Sequence, residues 1–345
     1  MSYLIPFLIS KYWLTFVHMI TLCINQPNTD PYFNLAVEEY FMKKYQEDFF
    51  MLWRSRPSVV VGKHQNALAE INHNFIREHQ IPVTRRLSGG GTVFHDPGNV
   101  NFTFIRNVEA ISEVNFKVFT VPVIEALKKL GVEAYTTGRN DLLINDKKIS
   151  GNAEHVHRNR VLHHGTLLFY SHLETLKRAL KVDLSKFEDK AVQSNRSEVT
   201  NIADYLPKPM SVEEFTDFVF SDICHNYPEF QVYEPTVEDQ IAIQKLSIEK
   251  YQTWDWIFGY SPKYRFTNML ETENGKILIS LLVEHGLLAE VTLSGAIPEK
   301  KCQELAEALI GRRHEYMEVK SALKGFDSII QENALSFEQF LGLLF

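Results

Sequence analysis

The hydrophobic pattern changes period many times along the chain, and each change marks an element. Residues 20–26, ITLCINQ, read as a first strand. Asn28, Asp30 and Pro31 offer capping and first-turn chemistry, and Phe33, Leu35, Ala36, Val37, Tyr40 and Phe41 follow at helical spacing. Two β-branched or aromatic runs, 49–53 and 58–61, are bounded by Arg-Ser-Arg-Pro and Gly62 and read as paired strands. Helices are predicted at 72–79 and at 115–130, the second stopped by Gly131. Strand-like runs recur at 92–95, 101–105, 141–144, 148–151 and 164–169. Turns rather than regular crossover helices separate them, which predicts an α+β fold with a mixed or antiparallel sheet flanked by helices. Past residue 200 the pattern is helical at 212–225 and 237–251. Strands then begin near 264 and run through 276–283 and 287–294, with closing helices at 299–310 and 336–345.

Length adds a division to this picture. A chain of 345 residues, 45% hydrophobic, exceeds what one core of about 250 residues holds, so two domains are expected. The aromatic segment 251–254 is the expected join, giving 19–252 and a smaller 253–345, with 1–18 as an N-terminal extension. The apolar start is broken by Pro6, Lys11 and His18, short of the ~20 residues a bilayer span needs, and it lacks a signal peptide's basic start. A net charge of -7 supplies no basic field for nucleic acid or anionic lipid. Cys23, Cys224 and Cys302 form no C-x-x-C pair, which argues against a disulfide framework or zinc site and for a reducing, cytoplasmic setting.

The segment Arg85-Arg86-Leu87-Ser88-Gly89-Gly90-Gly91-Thr92-Val93-Phe94-His95-Asp96 carries the most chemistry. Three glycines leave backbone N–H groups open to an anion, and the arginines add fixed charge, so the loop suits a phosphate. A plain turn would not call for two preceding arginines. The spacing is neither a Walker A nor a G-x-G-x-x-G loop. Downstream, Lys148 precedes Ser150, Gly151 and Ala153, small residues that let a bulky group lie against a strand. Plain alternation would put Lys148 and Ser150 on one face. His163 and His164, adjacent on a strand, point oppositely and cannot easily share a metal ion. His155 and His157 are read as solvent-facing in a polar loop, and Leu35, Val37, Trp53, Val61 and Val93 as candidate linings of an apolar slot.

Taken together, the glycine segment with Gly98-Asn99 and Asn101-Phe102-Thr103-Phe104 resembles the lipoate–protein ligase A family. So do Pro31 through Glu39, Gly138-Arg139-Asn140-Asp141, Lys148-Ile149-Ser150-Gly151-Asn152-Ala153, His163 through Leu168, and Arg196 through Asn201. The resemblance implies a biotinyl/lipoyl protein ligase-like (class II synthetase-like) catalytic domain with a small α+β accessory domain that swings during the cycle. It implies activation of lipoate by ATP and Mg²⁺ to lipoyl-AMP, then transfer to a lysine of apo lipoyl domains of 2-oxoacid dehydrogenase E2 subunits or of glycine cleavage H protein. Lys148 is the implied catalytic residue. ATP/lipoyl-AMP contacts are implied at Arg86, Ser88, Gly89, Gly90, Gly91, Thr92, Val93, Phe94, Asn99, Asn140, Asp141, Lys148, Ser150, Gly151, Ala153, His164 and Gly165, with Asp141 as an Mg²⁺ ligand. Lys190 and Ser194 are weaker assignments within the family's adenylate-binding loop, because the residues before Arg196 depart from its commoner pattern. The rival on this fold is an ATP-independent octanoyl or lipoyl transferase, and no cysteine beside the motifs supports an acyl-thioester version of it.

Overall fold

The computed structural model describes residues 20–109, 115–136, 140–194, 197–331 and 335–345. The expected extension and the Gly138, Arg139 and Arg196 positions lie outside the described residues. Strand β1 (Thr21–Gln26) leads to helix α1 (Pro31–Lys44), then β2 (Asp48–Arg54), β3 (Ser58–Val61), α2 (His73–Glu78), β4 (Val83–Arg85), β5 (Val93–His95) and β6 (Asn99–Asn107). Helix α3 (Phe116–Lys129) precedes β7 (Tyr135–Thr136), β8 (Asp141–Ile144), β9 (Lys147–His157) and β10 (Arg160–Leu168). Next come α4 (Leu173–Ala179), β11 (Phe187–Asp189), α5 (Val212–Cys224), β12 (Phe230–Val232) and α6 (Val237–Leu246). The C-terminal part holds β13 (Tyr264–Thr272), β14 (Gly275–Glu284) and β15 (Leu287–Gly295). Helices α7 (Glu299–Leu309), α8 (Tyr316–Ala322), α9 (Asp327–Gln331) and α10 (Phe337–Leu343) close it.

The predicted mixed sheet is present. Eight strands run in the order β12-β1-β2-β6-β10-β9-β8-β7, with β1 parallel to both its neighbours and the other pairs antiparallel. A small sheet, β4-β3-β5, lies apart from it, and the C-terminal sheet is β11-β13-β14-β15. The elements that the hydrophobic pattern missed, such as β4, β7, β11 and β12, span only two or three residues, too few to display a period. His155 and His157 lie in strand β9 rather than a loop, and both are half-buried.

One face of the large sheet buries Phe50, Phe102 and Phe104 against Phe119 of α3 and Phe215 of α5. The other face places Ile24, Phe49, Met51, Trp53 and Leu162 against Leu35, Val37 and Phe41 of α1. Helix α1 begins where the Asp30 carboxylate accepts the N–H groups of Tyr32 and Phe33, each at 3.0 Å, with Pro31 in the first turn. The small sheet has two buried faces. Val60 and Val93 join the α1 side, while Val59, Val61, Val83 and Phe94 share a core with Phe266, Ile277, Leu281, Leu305 and Phe340 of the C-terminal part. Strand β11 extends the C-terminal sheet, pairing Phe187 with Phe266.

Two fully buried imidazoles make this packing sensitive to acid. Burial holds His314 at about 4, and burial, helped by nearby Arg86 and His164, holds His95 at about 3, against 6.5 for both when free. A lowered folded-state value means that the unfolded chain binds the extra protons, so this contribution is fully present above pH 6.5 and is lost as pH falls towards 4. The two together predict a slope of about 2–3 kcal/mol per pH unit in that window. Urea melts at stepped pH measure it; a flat midpoint between pH 7 and about 5 refutes it.

Candidate active site

Strand register determines what faces α1 and the small sheet. One row across β8, β9, β10, β6, β2 and β1 carries Asp141, Gly151, Thr166, Asn101, Trp53 and Gln26. The next row carries Ala153, His164, Thr103, Met51 and Ile24 on β9, β10, β6, β2 and β1. These two rows form a floor, polar towards β8 and apolar towards β1.

Lys148 reaches that floor through a bulge. Leu142 pairs with Ser150 while Leu143 pairs with Lys148, so Ile149 is the extra residue and the alternation slips by one. Lys148 therefore shares the face of Asp141, whereas Ser150 turns to the opposite side, where its Oγ accepts from the Asn152 amide at 3.2 Å. The expectation that Lys148 and Ser150 share a face fails because of this one residue. Lys148 Nζ lies 2.8 Å from Asp141 Oδ1, and its tip crosses Gly151, where an added Cβ would sit 3.1 Å from both Cε and Nζ. The Lys148 backbone is held by Glu198 O and the Thr200 N–H at 2.8 and 3.0 Å. Asn140 O accepts both the Asn152 N–H and its side-chain amide, anchoring the strand entry beside Asp141.

The glycine loop is the roof. Arg86 is buried, and its guanidinium donates to Gly89 O at 2.6 Å, Gly91 O at 2.7 Å, Val60 O at 3.2 Å and Ser88 Oγ at 3.0 Å. Burial lowers its pKa to about 10, so it stays charged and acts by holding the loop's carbonyls. Gly90 has a φ of 83°, a conformation open to glycine, and a Cβ built on it would lie 3.8 Å from Ala153 Cβ. Roof and floor thus meet two residues along β9 from Gly151. Ser88 Oγ, already accepting from Arg86, donates to His164 Nε2 at 2.6 Å, and His164 Nδ1 then donates to the Glu38 carboxylate at 3.0 Å. Thr103 Oγ1 also donates to Glu38 at 2.6 Å and accepts from Trp53 Nε1 at 3.1 Å. This chain ties loop, sheet and α1 together.

Ser194 closes one side. Its hydroxyl donates to the Glu70 carboxylate and accepts the Thr92 N–H at 2.8 Å and the Gln65 amide at 3.1 Å. Lys190 is exposed. Other expected residues sit elsewhere. Phe94 and Val61 face the C-terminal core, and Gly165 admits the Phe102 ring, whose Cζ lies 2.4 Å from a Cβ built there. His163 is buried behind the sheet, stacked on Phe119 at 4.7 Å and bonded to Glu154 and Asn152, on the opposite face from His164. Asn99 donates to Asn101 Oδ1 at 2.9 Å. Arg85 leaves the site altogether, its side chain buried among carbonyls of 62–65 and 256–257. Glu38, Thr103, Gln65 and Glu70 went unread in the sequence; the signal for Glu38 was a carboxylate next to the apolar run of Leu35, Ala36 and Val37 on α1, a position the fold buries.

Among the described residues no group of three or more His, Cys, Asp or Glu is placed to hold a metal ion. Asp141 is a single carboxylate with one oxygen on Lys148, which fits Mg²⁺ only in the mode where substrate phosphates complete the shell. No helix among the described residues is long and apolar enough to cross a membrane.

A sheet floor, a glycine-loop roof and one lysine beside a carboxylate make up the candidate site, and solved structures share the fold that carries it. Plasmodium falciparum LipL1 superposes with a TM-score of 0.59 at 23% identity, covering 91% of this chain and 98% of that one. A lipoate-protein ligase A gives 0.60 at 23% identity over 70% of this chain and 100% of that one. The lipoyl protein ligase A/B catalytic domain profile matches residues 30–223, and the bacterial lipoate protein ligase C-terminus profile matches residues 261–344. Lipoate–protein ligase 1 of Staphylococcus aureus is 40% identical over 88% of this chain and 93% of its own length. Lipoate-protein ligase LplJ of Bacillus subtilis is 38% identical over 93% and 98%. The chain belongs to the lipoate–protein ligase family.

Proposed function

We propose that this enzyme couples lipoate to a protein lysine in two steps at one site, with ATP as activator. A lipoate carboxylate oxygen attacks the α-phosphorus of ATP, pyrophosphate leaves, and the acceptor's lysine amine then displaces AMP from the acyl carbon. The observation that carries the reading is Lys148 Nζ, stretched over Gly151 to Asp141 on the floor that the glycine loop covers. A cation there stabilises the charge that builds up as carboxylate and α-phosphate meet. The N–H groups of the Gly89 to Thr92 turn offer phosphate donors, and Arg86 sets their positions by fixing the turn's carbonyls. Ser194 holds the Thr92 N–H, so a phosphate there takes over a donor already aimed. Asp141 would hold Mg²⁺, which neutralises the leaving pyrophosphate when bound.

Two relatives support the substrates: the Plasmodium falciparum protein was solved in complex with lipoate, and the lipoate-protein ligase A with ATP. The acceptors are apo lipoyl domains of E2 subunits and H protein; a Thermoplasma acidophilum ligase is described together with its E2 lipoyl domain. Residues 253–345 serve as the accessory domain, and the enzyme works in the cytoplasm. A cysteine-linked transferase is disfavoured, since Cys23 and Cys224 point into the core behind the sheet and Cys302 lies in the C-terminal core. The test combines lipoate, ATP, Mg²⁺ and an apo lipoyl domain. Pyrophosphate release and a lipoyl mass gain on the domain's lysine are expected; transfer only from an octanoyl carrier or preformed lipoyl-AMP overturns the reading.

A further inference from the structure

Several buried polar atoms without a partner gather at the end of the floor remote from Lys148. Asn101 Nδ2, Asn99 Oδ1 and His95 Nδ1 are each shielded from solvent and make no hydrogen bond, in residues 98%, 100% and 97% buried. Native structures leave few such atoms unpaired, and each one calls for a cause. Their surroundings supply it. Asn101 stands on the floor directly between Thr166 and Trp53, and its Oδ1 is taken by Asn99, which turns the free N–H donor away from that pair. His95 descends from the roof, its ring edge-on to Trp53 at 5.5 Å, and its Nδ1 has no hydrogen-bond partner. Three strand spacings, about 14 Å, separate Gly151 under Lys148 from Trp53 in the same row. An extended eight-carbon acid anchored at Lys148 and lying across the strands ends between Asn101, His95 and Trp53.

We infer that this polar, aromatic end makes Asn101 and His95 specificity residues that favour an acyl tail carrying sulfur over a plain alkyl tail of the same length. The inference rests on the ligase reading and deepens it. An alkyl end buries the amide and imidazole unsatisfied, whereas sulfur is a weak acceptor for their N–H groups and a polarizable neighbour for both rings. A site with polar groups aimed at its ligand rejects the analogue that cannot pair with them.

The experiment needs first only the unaltered enzyme. Pyrophosphate release is measured with octanoate, with a thia-octanoate in which one sulfur replaces a methylene near the tail, and with lipoate. The sulfur acids should exceed octanoate about tenfold in kcat/KM. Asn101→Leu and His95→Phe, which remove the polar atoms, should each shrink the lipoate-to-octanoate ratio about tenfold, chiefly by improving octanoate. Equal use of octanoate and thia-octanoate by the unaltered enzyme overturns the inference, as does an Asn101→Leu enzyme that weakens both acids alike. Failure of all three acids to release pyrophosphate instead overturns the ligase reading beneath it.

Discussion

Replacing Lys148 with alanine is expected to slow lipoate-dependent pyrophosphate release by a factor of about 10²–10³ or more, the usual cost of removing an aimed charge from a transition state. The fold should survive. Lys148 and Asp141 keep 24% and 27% of their side chains exposed, so breaking their ion pair costs under about 1 kcal/mol, screened as it is by solvent. Lys148→Arg should not restore the rate, because the planar guanidinium is bulkier where a Cβ on Gly151 would already press on the lysine tip at 3.1 Å. Transfer from synthetic lipoyl-AMP should suffer less than adenylation, since the phosphate bond is already made. Full adenylation by the alanine enzyme removes Lys148 from the mechanism.

Arg85→Met should destabilise the fold rather than disable its chemistry. The Arg85 guanidinium is fully buried and bonds no carboxylate: it donates to the carbonyls of Gly62, Lys63, Gln65, Trp256 and Ile257 and to Ser261 Oγ, at 2.6 to 3.0 Å. Its own carbonyl accepts Trp256 Nε1 at 2.7 Å. Burial lowers its pKa only to about 10, so the charge persists and its five donors meet converging dipoles. Methionine fills most of the volume but strands those carbonyls, a loss of about 3–5 kcal/mol. In a chain of this size that is a thermal midpoint roughly 5 °C lower. A midpoint within about 2 °C of the unaltered protein refutes the assignment.

The contrast between these two arginine neighbours shows where the sequence was readable. Arg85 and Arg86 look alike beside the glycines, yet the sequence pattern carries no account of carbonyls that arrive from residues 62–65 and 256–257, and only the fold distinguishes clip from loop holder. Lys148 stands out in the sequence because lysine beside small residues is an unusual local choice. Its companion was misread: alternation pointed to Ser150, and a bulge at Ile149, invisible in a strand's two-residue period, put Asp141 and Gly151 there instead. The mixed sheet, the long helices and their caps followed from periodicity and turn residues, which act locally. Glu38, Gln65 and Glu70 did not, because each matters through partners 126, 129 and 124 residues away.

The small sheet belongs to two interiors at once, and that limits how the molecule can open. If the C-terminal part withdraws while β3, β4 and β5 stay over the floor, Val59, Val61, Val83 and Phe94 become wet, and so does the Arg85 clip. Burying such side chains is worth roughly 1.5–3 kcal/mol each, so a bare withdrawal is steeply uphill. Any large excursion must therefore either find new cover for that apolar strip or drag the glycine loop along with it, so that uncovering the floor and displacing the loop above it would be a single event.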